Sequence, residues 1–268
     1  LQVEAVRDDD GVFVSYAAGN PPAFSVGGGN GISTPGTAEL IILDIPLLVD
    51  TDDNAGYYAV VNALGGTTWN GAGIFRSPDG GVTYTQVATV VFEGTTGTLI
   101  DALPSGPYTV VDEGNALVIE SDETFESIVT ASLLAGLNAA AIGAPGRWEI
   151  IQFRDAEYIE SPASWRLTGL LRGRRGTEWA IGLSQVGDTF VLLGSALVRI
   201  DSDASFIGSS RPHKAVLTGV SLEASPLTDF TPAGVALEPF SPVDAAGYRD
   251  TGGDLEITWK RRGRISQE

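Results

Sequence analysis

The chain has 268 residues with 34 glycines, 14 prolines and no cysteine, which excludes disulfides, zinc–thiolate sites and thiol catalysis. Its net charge of −18 is uneven: residues 1–146 carry eighteen acids against Arg7 and Arg76, whereas fourteen bases meet sixteen acids in residues 147–268. That balance offers no basic face for nucleic acid, and no apolar run approaches the ~18 residues of a membrane-spanning helix.

Taken in order, residues 1–36 hold a possible strand, Val12 to Tyr16, then Asn20-Pro-Pro and Gly27-Gly-Gly-Asn-Gly31, a composition that predicts an extended segment or linker. No secretory signal is visible, and the lack of any methionine suggests a chain excised or processed from something longer. Residues 37–112 read as a β module. Ala38 to Leu48 is apolar enough for a buried strand interrupted at Pro46, and Tyr57 to Ala63 is a second. Between them, Asp50-x-Asp52-x-Asn54 starts like a calcium loop. Ala55 and Val61 stand where such a loop needs glycine and glutamate, so a solvated acidic turn is expected and no metal site.

Residues 68–92 predict a hairpin around Ser77-Pro-Asp-Gly-Gly81. Ser77, Asp79, Gly81, Thr83 and Tyr84 fit the Asp-box pattern, in which aspartate accepts backbone hydrogen bonds, glycine allows positive φ and the aromatic packs beneath. One copy without a regular repeat argues against a propeller and for a self-stabilising turn.

Residues 113–200 predict a barrel-like module, with further strands at Tyr108–Val111, just before it, and at Ala116–Glu120, Trp148–Phe153, Trp165–Leu171, Thr189–Leu193 and Ala196–Ile200. Ser127 to Ile142 is ambiguous, with Ala139-Ala140-Ala141 leaning helical. Residues 201–243 supply a strand at Ala215–Leu222 and a Pro-rich connector, and 244–268 a strand at Gly253–Trp259. The fold class expected is mainly β, in several antiparallel barrel or sandwich modules with long loops.

The most informative stretch is Leu170-Leu-Arg-Gly-Arg-Arg-Gly-Thr-Glu178. A strand runs into Arg172, Arg174 and Arg175, separated by Gly173 and Gly176, and then into Thr177 and Glu178. The glycines permit tight turns that point the guanidinium forks apart. Two readings stay open: a loop braced by its own ion pairs, Glu178 among them, or a docking loop for a neighbouring subunit. Neither supplies a nucleophile or proton carrier.

This motif, with Trp148-Glu-Ile-Ile-Gln-Phe153 before it and Gly187-Asp-Thr-Phe-Val-Leu-Leu193 after it, resembles the tail-tip hub (baseplate) proteins of long-tailed phages and gene transfer agents. The resemblance implies a structural virion protein and not an enzyme, assembled in the bacterial host cytoplasm and placed at the tail tip. It further implies contacts with other tail-tip proteins and fibres and a homotrimer around the tail axis. It likens the final strand to the opening of a fibronectin type III-like domain.

Little chemistry competes. His213 is the only histidine, expected at the surface; no G-x-S-x-G elbow, phosphate loop or dinucleotide fingerprint occurs, and no cofactor is implied. Two rival readings remain: a carbohydrate- or receptor-binding module using aromatics such as Trp69 or Tyr84, and a glycosidase fragment using some of the abundant acids.

Overall fold

A computed structural model describes residues 36–160 and 163–263. Residues 35–268 form a compact unit, and the expected strand at Val12–Tyr16 lies outside the described residues.

Its described residues form sixteen strands and one short helix. The first six strands are β1 (Ala38–Leu43), β2 (Gly56–Ala63), β3 (Ala72–Arg76), β4 (Thr85–Val90), β5 (Thr96–Leu99) and β6 (Leu117–Glu120). Helix α1 (Thr130–Leu134) precedes β7 (Ala139–Gly143), β8 (Glu149–Gln152), β9 (Asp155–Glu160), β10 (Ala163–Thr168) and β11 (Thr189–Leu192). The remainder are β12 (Val198–Asp201), β13 (Arg211–Leu217), β14 (Thr228–Phe230), β15 (Val243–Arg249) and β16 (Leu255–Lys260).

The strands pair antiparallel into a three-stranded sheet, β1-β2-β12, a four-stranded sheet, β14-β13-β3-β4, a seven-stranded sheet, β8-β7-β11-β5-β6-β10-β9, and a two-stranded ribbon, β15-β16. The protein is therefore mainly β, as its short apolar runs imply. Among the described residues no sheet closes into a barrel, so the barrel-like form expected for 113–200 is replaced by open sheets. The sheets also interleave the segments: β5 joins strands of 113–200, β12 joins β2, and β13 joins β3.

Period-two alternation explains how these sheets stack. On one face of β1 and β2, Ala38, Leu40, Ile42, Tyr57, Ala59 and Val61 share a core with Ile74, Val90, Ala215 and Leu217 of the four-stranded sheet. On the other face, Tyr58 and Val60 join Ala141, Ile150 and Val191 of the seven-stranded sheet. β2 is thus the middle of three layers, which is why its first seven residues are all buried. Each such buried valine stabilises the fold by about 1.5–3 kcal/mol. A third cluster, with Phe125, Phe153 and Phe190 in edge or tilted ring contacts, covers the far face of the seven-stranded sheet.

Several local expectations are corrected. Ala139 to Ala141 form β7, paired to β8 and β11; two ladders of hydrogen bonds override alanine's helical propensity. Tyr108 to Val111 is a run of bends with Tyr108 and Val110 exposed, because no strand lies beside it to pair. Within the expected connector, Thr228–Phe230 pairs with β13 and Val235–Leu237 makes a 3₁₀ turn. The Gly253–Trp259 strand pairs with β15 alone, and Trp259 is exposed. No helix of the described residues is long and apolar enough to cross a membrane.

Candidate interaction site: the arginine–glycine loop

The motif begins where β10 ends. Leu170 exchanges both backbone hydrogen bonds with Asp112, and Leu171 exchanges both with Gln152 of β8. These paired bridges carry the chain between two walls of the seven-stranded sheet and aim Arg172 inward.

Arg172 is 1 % exposed, and its surroundings satisfy the guanidinium from several directions. Its Nε donates to Glu149 Oε1 at 2.6 Å and its Nη2 to Glu149 Oε2 at 2.9 Å, a two-point fork. Its Nη1 donates to the Pro104 carbonyl at 2.9 Å and reaches Asp112 Oδ2 at 3.5 Å. The Gly173 N–H adds a bond to Glu149 Oε1 at 3.1 Å. One cation thus faces two buried carboxylates and ties β8, the 104–112 loop and the motif together.

Both motif glycines have the positive φ that the turn demands: 57° at Gly173 and 88° at Gly176. A Cβ at Gly173 would lie 2.7 Å from the Glu178 Cα, and one at Gly176 would lie 2.6 Å from the Phe240 ring. Thr177 is buried and works both ways, accepting from the Ile150 N–H and donating to the Arg174 carbonyl.

The next two arginines point out of the core. Arg174 Nε donates to the Gln152 side-chain oxygen at 3.1 Å, while the Gln152 amide donates to the Leu133 and Leu137 carbonyls at the end of α1. Arg175 adopts φ 58°, unusual for a residue with a side chain. Both are exposed, and neither pairs with a carboxylate among the described residues. With Arg262 they border a cleft of about 590 Å³ whose walls include Leu48, Leu134 and Phe240.

Glu178 does not brace its own loop's arginines, as the sequence suggested. It accepts from Arg262 at 2.8 Å, and Arg262 lies 5.2 Å from the Phe240 ring centre. The chain's final described residues thereby return to the motif. Arg262, Phe240, Gln152, Asp112 and Glu149 were not singled out in the sequence. Glu149 alone left a trace: a charged residue inside the apolar run Trp148–Phe153 needs a buried partner.

The other expected features lie elsewhere. In the Asp-box turn, Asp79 accepts from the Thr83 N–H at 2.8 Å and its hydroxyl at 2.7 Å, and Ser77 Oγ accepts from the Gly81 N–H at 2.7 Å. The Thr83 N–H, the first of these bonds, holds the Asp79 carboxyl down at about 2. Tyr84 is half-buried beneath the turn, with the Lys214 ammonium 5.5 Å from its ring centre, and Trp69 donates to the Val91 carbonyl while packing on the core. Both rings are occupied structurally.

At the acidic turn, Asp52 accepts from the Tyr58 hydroxyl and Asn54 from Arg199. No group of three potential metal ligands occurs among the described residues.

His213 is a correction: it is buried, 1 % exposed, and not at the surface. Its Nδ1 lies 2.8 Å from the Arg211 carbonyl and must donate, leaving Nε2 to accept from the Tyr57 hydroxyl at 2.6 Å. Burial pushes its pKa down to about 4.

No curated protein matches the chain. Residues 94–191, which run from just before β5 through the arginine–glycine loop to β11, match the protein family described as Rcc01698-like, C-terminal.

Proposed function

We propose that the chain is a structural subunit of a phage-like tail tip, a hub that holds neighbouring tail proteins and fibres. In this reading the Arg174–Arg175–Arg262 cleft is one of its contact faces, other tail-tip proteins are its partners, and the subunits form a trimer around the tail axis. It performs no reaction of its own.

The observation that carries this reading is the split within one motif. Arg172 is consumed by the core, whereas Arg174 and Arg175 stand exposed on a partly apolar cleft without a carboxylate partner among the described residues. Arginine beside exposed apolar side chains is the composition of contact surfaces. A side chain held at positive φ is the kind of backbone strain that gathers at functional positions. The family match supports the same reading, since that family takes its name from a gene-transfer-agent-related protein of Rhodobacter capsulatus.

Electron microscopy of particles carrying a tagged copy of the chain tests the proposal. Density for the tag at the tail tip is expected. A tag on the capsid, or particles that lack the chain altogether, would refute it.

A further inference from the structure

A second pocket, of about 280 Å³, opens on the side of β1 and β14, and it owes nothing to the arginine cleft. Trp148, Trp179, Phe230 and Pro145 form its apolar walls, and Asp44 and Glu238 supply two carboxylates. No lysine, arginine or histidine among the described residues lines it.

Each component is oddly placed for a purely internal role. Trp179 is 52 % exposed although its neighbour Ala180 is buried. Asp44 is half-buried and accepts from the Ala233 and Val235 N–H groups, yet no cation among the described residues pairs with it. Burial pushes its carboxyl above the ordinary range, so an incoming positive charge would be stabilised there. Glu238 is exposed and also has no cationic partner among the described residues.

We propose that this pocket receives one basic side chain, an arginine or lysine, from a partner protein, with its aliphatic stem against the rings and its charged head between Asp44 and Glu238. The walls choose among cations. A long apolar stem ending in a charge fits a mostly apolar lining that includes Trp148, Trp179 and Phe230, and a guanidinium or ammonium is attracted to tryptophan faces. Two carboxylates with no lysine, arginine or histidine beside them among the described lining residues favour a cation over a neutral sugar ring. The volume is just under the ~300 Å³ at which small-molecule clefts begin, enough for a side chain and not for an extended ligand. The contact is independent of any role in a tail.

The chain contains five tryptophans, so indole NMR signals can follow the site directly. N-acetyl-arginine amide and N-acetyl-lysine amide are titrated against the intact chain, with N-acetyl-citrulline amide as the neutral isostere and N-acetylglucosamine as the neutral sugar arm. We expect saturable millimolar shifts of two indole signals, one of which disappears in Trp179→Phe, with citrulline amide inert. Glu238→Gln, at an exposed position that leaves the fold intact, should weaken the arginine or lysine response severalfold. No saturable shift, an equal response to citrulline amide, an unchanged response in Glu238→Gln, or saturation by N-acetylglucosamine alone would each overturn the proposal.

Discussion

Arg172 and Glu149, twenty-three residues apart in sequence, hold each other through two short hydrogen bonds with both side chains almost wholly out of solvent. Such a pair is asymmetric in its consequences. Removing one partner strands a buried charge and costs about 3–5 kcal/mol, whereas replacing both with apolar residues costs far less. Arg172→Met and Glu149→Leu should therefore each lower the urea midpoint strongly, and the double variant should recover only part of the loss, because the buried Asp112 carboxylate is left without its cation. Single variants within about 0.5 kcal/mol of the parent would mean that the pair does not fasten the loop.

The two motif glycines should not be equivalent. Alanine at Gly173 meets backbone at Glu178, which cannot swing aside, whereas alanine at Gly176 meets the Phe240 ring, which can. With positive φ at both, each substitution should cost on the order of 1 kcal/mol or more, and Gly173→Ala more than Gly176→Ala. Equilibrium unfolding of the two variants measures the order directly.

His213 gives the fold an acid-sensitive component. Its folded pKa of about 4 lies below its unfolded value of 6.5, so the unfolded chain binds the extra proton first as pH falls. The stability it contributes is whole above about pH 6.5, declines between 6.5 and 4, and falls no further below that. The total is on the order of 3 kcal/mol. The pH dependence of unfolding between 7 and 4 should be flatter in His213→Gln than in the parent, whatever the change at neutral pH.

Asp79 works in the same direction, at lower pH. Its carboxyl is held to about 2, so the turn keeps its hydrogen bonds until pH falls through that value. A carboxyl NMR titration should give a midpoint near 2 for Asp79 in the parent and a higher one, still below the ordinary aspartate value, in Thr83→Val, which loses the hydroxyl donor and keeps the N–H.

Where local chemistry decides structure, the sequence was legible. Ser77 to Tyr84 predicted the turn because the bonds that Ser77 and Asp79 side chains make to Gly81 and Thr83 all fall within seven residues. The strands Tyr57–Ala63 and Trp148–Phe153 were visible as apolar runs, and the LLRGRRGTE stretch stood out by composition. What stayed hidden depends on distant partners. Ala139–Ala141 is a strand because β8 and β11 flank it, and His213 is buried because Tyr57 and Phe230 cover it. Asp112, Glu149 and Arg262 reach the motif only through the fold, so Glu178 was assigned the wrong arginine. Layer stacking also dissolves the segment boundaries, since β2 serves two cores at once.

The separation of Arg172 from Arg174 and Arg175 is tested most directly by the double variant Arg174→Ala/Arg175→Ala. Thermal unfolding of the isolated chain and its incorporation into particles are measured side by side, together with phosphate binding at low and high salt. An unchanged melting temperature, lost or reduced incorporation and little phosphate binding by the parent chain are expected if these arginines face a neighbouring subunit. Normal incorporation of the variant, or tight phosphate binding by the parent that the substitutions abolish, would contradict that role.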